Sequence, residues 1–280
     1  METAPKACVI GSPISHSRSP LIHGYWLKKH DISGSYDRIE VKPDQLDGFL
    51  DRIRQGELAG CNVTIPLKEL TFEAVDQTDD QTRRLKSVNT VYMLDGKLCG
   101  TSTDGAGFMA NLRQTVPDWR TRSKHAVILG AGGAARSLVE ALINDGAATI
   151  TIINRTVERA EAIAADYPDR VDPHGWYAIE HALPVTDILI NSTSLGMTGQ
   201  PPLEVCLDGL KSTAVVTDIV YTPLRTELLN QASSRGHTVV EGLGMLLHQA
   251  VPGFEKWFGI RPEVTDDLHD LIAADITGRQ

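Results

Sequence analysis

Two stretches of this chain carry residue types at spacings that could do chemistry. In one, Gly130-Ala131-Gly132-Gly133-Ala134-Ala135 follows the apolar run His125 to Leu129 and opens a segment with Leu138, Val139, Leu142 and Ile143 at helical spacing. Gly130, Gly132 and Ala135 thus fill the G-x-G-x-x-G/A positions between a strand and a helix, the context that gives the motif meaning. Glycines there permit a tight turn and a close backbone approach, so a pyrophosphate can sit on the helix N-terminus. A second predicted strand, Thr149 to Ile153, leads into Asn154-Arg155-Thr156, where an NAD site usually places Asp or Glu against the ribose hydroxyls. A guanidinium pairs with a 2′-phosphate that a carboxylate repels, so the pattern predicts NADP with Arg155 as the phosphate reader. The plainer alternative makes Arg155 a solvated residue and Thr156 the N-cap of the next helix.

The other stretch is scattered over the N-terminal third. Ile14-Ser15-His16-Ser17-Arg18-Ser19-Pro20 is rich in hydroxyls and follows the strand Ala7 to Ile10, a placement that suits gripping a polar ligand. Ser19 also reads as a helix N-cap with Pro20 as the first helical residue, which leaves Ser17 without a structural task. Asn62-Val63-Thr64-Ile65-Pro66-Leu67-Lys68 ends with Lys68 opening a helix, where the helix dipole disfavours a cation. A surface charge and a chemical role both remain open for Lys68, as do a plain N-cap and something more for Asp104. Metal ligands form no convincing set: His16, His23 and His30 lack the spacing of one helical face, and no H-E-x-x-H occurs. Ser17 beside His16 makes no nucleophilic triad, since adjacency in sequence seldom gives the geometry.

The elements that must position these residues alternate along the chain. Strands are predicted at Tyr36 to Val41, Leu58 to Thr64, Asp187 to Ile190, Ala214 to Val220 and Thr238 to Val240, with a hairpin across Leu94-Asp95-Gly96. Leu46, Phe49, Leu50 and Ile53 give the helix Pro43 to Arg54 a core face. Arg120 to Lys124 reads as a polar connection, and the stretch between Thr156 and Pro184 is predicted only as a helix around Ala160, Ile163 and Ala164. The loops Asn191 to Met197 and Tyr221-Thr222-Pro223 would fall on the cofactor side of a parallel sheet. Phe254, Trp257 and Phe258 make the C-terminal helical segment too apolar for solvent.

The chain has 280 residues, room for about two domains of ordinary size. A net charge of -9 argues against nonspecific nucleic-acid binding. No apolar run is long enough to span a bilayer and the N-terminus is unlike a signal sequence, so a cytoplasmic location is expected. Cys8, Cys61, Cys99 and Cys206 lack C-x-x-C spacing and read as buried reduced thiols.

In this order and spacing, Gly11 to Pro20, Asn62 to Lys68, Val88-Asn89-Thr90, Thr103-Asp104-Gly105, Gly130 to Ala134, Asn154-Arg155-Thr156 and Gly242-Leu243-Gly244-Met245 are highly specific together. The chain resembles, over nearly its whole length, the shikimate dehydrogenases, NADP-dependent enzymes that interconvert 3-dehydroshikimate and shikimate in aromatic amino-acid biosynthesis. That resemblance implies an α/β fold: an N-terminal substrate domain, residues 1–104, completed by C-terminal helices from residues 245–280, and a Rossmann-type, doubly wound NADP domain, residues 105–244. It makes Lys68 and Asp104 the catalytic pair, and Ser17, Ser19, Thr64, Asn89, Tyr221 and Gln249 the partners of the substrate's hydroxyls and carboxylate. It gives the cofactor to Gly130, Ala131, Gly132, Gly133, Ala134, Asn154, Arg155, Thr156 and Gly242. It implies a monomer or homodimer acting on a small molecule, with neither membrane nor nucleic acid as partner. Gly24, where the family often has Asn, and Thr101-Ser102, where it often has Asp-Asn, depart from the pattern. The rivals are a quinate or aminoshikimate dehydrogenase, which would keep Lys68 and Asp104, and a noncatalytic NADP sensor, which would lose them. A methyltransferase reading of the glycine loop fits poorly with Arg155.

Overall fold

The computed structural model describes residues 4–122 and 124–278. The chain divides into two compact units, Met1–Asp104 with Leu247–Ile272, and Gly105–Leu246 with Ala273–Gln280.

In the first unit, β1 (Lys6–Gly11), β2 (Ser35–Glu40), β3 (Gly60–Val63), β4 (Gln77–Thr78), β5 (Thr90–Leu94) and β6 (Lys97–Thr101) form one sheet in the order β2-β1-β3-β5-β6-β4. β2, β1 and β3 are parallel, and β5 runs antiparallel to both β3 and β6. Ala7, Cys8, Val9 and Ile10 are all buried, as expected of a central strand covered on both faces. The β5–β6 hairpin turns on Asp95 (φ 50°) and Gly96 (φ 74°), the two left-handed residues that a tight two-residue turn needs to match strand twist. Leu46, Phe49, Leu50 and Ile53 pack on the sheet with Cys8, Ile10 and Val91, the face their spacing predicts.

The apolar C-terminal segment becomes the helix Leu243–Phe258, and Phe254 and Trp257 from it gather with Trp26 and Tyr36 around His23. Trp257 donates its indole N–H to the Val91 carbonyl at 2.9 Å, so a buried polar atom is satisfied within the aromatic layer. The helix expected from Pro20 starts one residue earlier, at Ser19, its predicted cap. Arg18 occupies the N-cap of Ser19–Lys29, while Ser17 Oγ accepts from the Ser19 amide at 3.3 Å. Ser19 itself is buried, and its Oγ accepts from Ser17 Oγ at 3.2 Å, a bond within the loop in place of the expected cap.

The second unit is a six-stranded, all-parallel sheet: β7 (His125–Leu129), β8 (Thr149–Ile153), β9 (Val171–His174), β10 (Ile188–Asn191), β11 (Val215–Asp218) and β12 (Thr238–Val240), ordered β12-β11-β10-β7-β8-β9. The order runs outward from β7 in both directions, a doubly wound sheet with its switch point between β7 and β10. Alternate residues of β7 serve the two faces: Ala126 and Ile128 join Leu138 and Leu142, while Val127 and Leu129 join Leu189 and Leu228. β9 escapes sequence pattern because Pro173 interrupts it, which an edge strand tolerates. The expected polar connection before β7 contains a helical turn, Trp119–Arg122, anchored by Trp119 Nε1 donating to Asp145 at 2.9 Å; Ser123 lies outside the described residues. Cys8, Cys61 and Cys99 are buried free thiols, but Cys206 is exposed, lying beyond β10 outside any strand.

Candidate active site

Strand direction alone brings one group of predicted residues together. β1, β3 and β6 share a direction and β5 opposes them, so the residues after β1, β3 and β6 and just before β5 meet at one edge of the first sheet. Ser17 and Ser19 follow β1, Thr64 and Lys68 follow β3, Asn89 precedes β5, and Thr103 and Asp104 follow β6.

Lys68 begins the helix Lys68–Ala74, and its Nζ lies 2.6 Å from Asp104 Oδ2. Asp104 begins the helix Asp104–Thr115, yet its carboxylate is taken up by Lys68 and by Asn89, whose Nδ2 donates to Oδ1 at 2.7 Å. The lysine side chain is 28% exposed and the aspartate 17%, enough for a small molecule to reach the ammonium while the carboxylate stays sheltered. Asn89 is buried. Its Nδ2 also donates to Thr103 Oγ1 at 3.0 Å and lies 3.4 Å from Gln249 Oε1, and its side-chain oxygen Oδ1 accepts from the Thr103 amide at 2.9 Å. Thr103 Oγ1 donates to the Gln249 backbone carbonyl at 2.8 Å.

Asn89 Nδ2 thus faces Asp104, Thr103 and Gln249, a set of neighbours its sequence position does not announce. Thr103 is an unpredicted member of the cluster, and its only sequence signal is a hydroxyl next to Asp104. Thr64 sits against Gly11, where an added Cβ would come within 2.5 Å of Thr64 Cγ2 and 2.9 Å of the Ile65 carbonyl. A glycine at the end of β1 thus lets the Thr64 loop close over it. Ser17 is half-buried, and its carbonyl accepts from Arg38 Nε at 2.7 Å.

The other group lies in the second unit. A cavity of about 770 Å³ is lined by the glycine loop Gly130 to Gly132, by Asn154, Arg155 and Arg159, and by Ser192 to Leu195 at the switch point. Gly130 has φ 104°, and a Cβ there would press on Thr193 and Ser192 at 2.8 and 2.9 Å. Cβ atoms on Gly132 or Gly133 would meet nothing within 4 Å, so open space stands over the start of the helix Gly133–Asn144. Gly132 is its N-cap and no side chain caps it, which leaves the first-turn amides facing that space. Ala134 is in that first turn. Thr156 is the N-cap of Val157–Ala164 without a side-chain bond, and Asn154 Nδ2 donates to the Thr156 carbonyl at 2.7 Å. Arg159 joins Arg155 in the wall, although the sequence reading missed it; its spacing of four residues along the start of a helix was the available signal.

Asn191 and Asp218 tie the loops after β10 and β11. The buried Asp218 carboxylate, its affinity for protons raised by that burial, accepts from Asn191 Nδ2 (3.0 Å), Thr226 Oγ1 (2.8 Å) and the Val220 amide (2.9 Å). Tyr221 belongs to the loop so held and is half-buried. Gly242 packs where a Cβ would fall 2.6 Å from the Val220 carbonyl and 2.7 Å from that of Asp218, so steric demand accounts for a glycine there. Among the described residues no group of three or more His, Cys, Asp or Glu could hold a metal ion.

Comparison with known proteins covers both units. Family models described as the shikimate dehydrogenase substrate binding domain, the shikimate/quinate 5-dehydrogenase and the shikimate 5′-dehydrogenase C-terminal domain match residues 9–91, 111–198 and 242–266. A shikimate dehydrogenase (NADP(+)) of Azorhizobium caulinodans is 47% identical over 274 residues, spanning 98% of each chain. The chain belongs to the shikimate dehydrogenase family. Within reach of the same fold, the Thermus thermophilus shikimate 5-dehydrogenase solved with NADP(H) and shikimate superposes with a TM-score of 0.82 at 29% identity, covering 99% of this chain and 100% of its own. A 5-ketofructose reductase of a Gluconobacter strain reaches 0.87 at 30% identity, covering 99% of each chain. A shared architecture therefore carries reductases of different ketones, and the residues of the site must decide between them.

Proposed function

We propose that this chain is an NADP-dependent shikimate dehydrogenase, reducing 3-dehydroshikimate reversibly to shikimate in aromatic amino-acid biosynthesis, in the cytoplasm. The observation that carries the reading is the sheltered Lys68–Asp104 pair at the edge of the first sheet, beside Thr64, Ser17 and Ser19, in a chain sharing 47% identity with an NADP-dependent shikimate dehydrogenase. The first unit binds and reduces the substrate, and the second holds the cofactor. The open glycine loop, the uncapped helix N-terminus and the paired Arg155 and Arg159 fit a dinucleotide with a 2′-phosphate.

NADPH, when bound, supplies the hydride to the ring ketone. As that carbonyl carbon gains two electrons its oxygen develops negative charge, and the Lys68 ammonium stabilises it and passes a proton to it. Asp104 fixes the ammonium, and water reaching the partly exposed Lys68 returns the proton that it gives up. Ser17, Ser19, Thr64 and Gln249 hold the ring hydroxyls and carboxylate, and the family pattern adds Tyr221 to these partners. Hydroxyl partners of this kind reject analogues that lack the matching group, because the site's polar atoms are then left unpaired. The test is the fall of NADPH absorbance with 3-dehydroshikimate, followed in reverse with shikimate and with quinate. Turnover of the shikimate pair well above quinate is expected, and a folded protein inert to all three would overturn the reading.

A further inference from the structure

Behind Asp104 runs a buried line of polar side chains that the reaction described above does not use. Tyr36 on β2, Asn62 on β3 and Thr90 on β5 are respectively 6%, 5% and 0% exposed. The Tyr36 hydroxyl donates to Asn62 Oδ1 at 2.6 Å, and Asn62 Nδ2 donates to Thr90 Oγ1 at 3.1 Å. Thr90 Oγ1 donates to Asn89 Oδ1 at 3.0 Å, and Asn89 Nδ2 to Asp104 Oδ1 at 2.7 Å.

The backbone fixes this direction. The Asn62 amide nitrogen also faces the Asn89 carbonyl at 3.2 Å, which can only accept, and the Asn89 side-chain oxygen faces the Thr103 N–H, which can only donate. Neither amide can be turned over, so each proton in the line points toward Asp104. Bonds aligned head to tail polarise one another, and here they converge on one oxygen of the carboxylate whose other oxygen holds Lys68. At its far end the line is rooted in the aromatic layer, where His23 stacks on the Tyr36 ring at 3.9 Å with planes 7° apart.

We propose that Tyr36, Asn62 and Thr90 are positioning residues for the reduction: their aligned hydrogen bonds fix the Asn89 amide and, through it, the face that Asp104 turns to Lys68. The inference rests on the reading of Lys68 and Asp104 as the reacting pair. None of the three touches the reacting atoms. Their loss slows the step in which charge develops on the ketone oxygen and leaves the ground-state grip on the substrate in place.

The experiment compares wild type, Tyr36→Phe, Thr90→Val and Thr90→Ser in the 3-dehydroshikimate assay at saturating NADPH, with thermal unfolding of each. Tyr36→Phe keeps the ring on which His23 stacks, and Thr90→Ser keeps the hydroxyl that Thr90→Val removes. The expected result is a kcat lower by about tenfold or more in Tyr36→Phe and Thr90→Val, as for small misplacements of a reacting group. KM should stay within about twofold and Thr90→Ser should return most of the turnover. Unchanged kcat in both donor-deleted variants overturns the proposal. So does a loss shared equally by Thr90→Ser, or one that tracks unfolding temperature instead of the missing donor. A wild type inert to 3-dehydroshikimate fails the functional reading itself, an outcome separate from these.

Discussion

Lys68 stands at the start of a helix, where the dipole opposes a cation, and Asp104 supplies the compensating charge at 2.6 Å. That arrangement was half legible in the sequence: the awkward placement of the lysine was visible, but its partner, 36 residues on, looked equally like a helix cap. Arg155 was legible by type, because a guanidinium replaces the expected carboxylate, whereas Arg159 becomes meaningful only when the helix start turns both toward one cavity. We expect Arg155→Glu to raise the KM for NADP by about 10–100-fold, the equivalent of about 1.5–3 kcal/mol for a charge-assisted contact, with a much smaller change for NAD. Equal changes for the two cofactors would dismiss Arg155 as the phosphate reader. Ser17→Ala and Thr64→Val should each weaken substrate binding by about 0.5–1.5 kcal/mol, read as a higher KM for 3-dehydroshikimate. Unaltered kinetics in both would take that loop out of the site.

At the scale of elements, the helix Ser19–Lys29 and the C-terminal helix Leu243–Phe258 close an aromatic layer around His23. Burial pushes the His23 imidazole down from 6.5 to about 3. The unfolded chain therefore takes up a proton below about pH 6.5 that the folded chain refuses until about pH 3. Stability from this group is whole above pH 6.5 and declines by about 1.4 kcal/mol per pH unit through that window. Urea unfolding of the wild type at pH 7 and pH 5 should show about 2 kcal/mol of loss from His23 alone, and His23→Phe should lose correspondingly less over the same interval. An identical loss in the variant would mean that His23 is not the acid-sensitive group. Hydrophobic periodicity announced both helices, and strand alternation with turn residues announced most of the two sheets. β9 stayed hidden because its edge position tolerates Pro173, while the first helix differs from expectation only in taking Ser19 as its first residue instead of its cap. Gly242→Ala should destabilise the second unit by about 1–3 kcal/mol, since its Cβ would meet backbone carbonyls that cannot swing away. A denaturation midpoint equal to wild type would refute that packing account.

For the whole molecule, the sequence divides its tasks between a unit that gathers hydroxyls, a lysine and a carboxylate at one sheet edge and a unit that offers an open, cation-lined glycine loop. The same architecture serves a 5-ketofructose reductase, so fold alone leaves the substrate open, and the reaction turns on what Lys68 does. Its most direct test is the turnover of a folded Lys68→Ala protein with saturating NADPH and 3-dehydroshikimate. If Lys68 stabilises the developing alkoxide and gives it a proton, kcat falls by about 10²–10⁴-fold while KM changes far less, because the charge exists only in the transition state. A folded Lys68→Ala protein that turns over 3-dehydroshikimate at a near-normal rate would contradict the account.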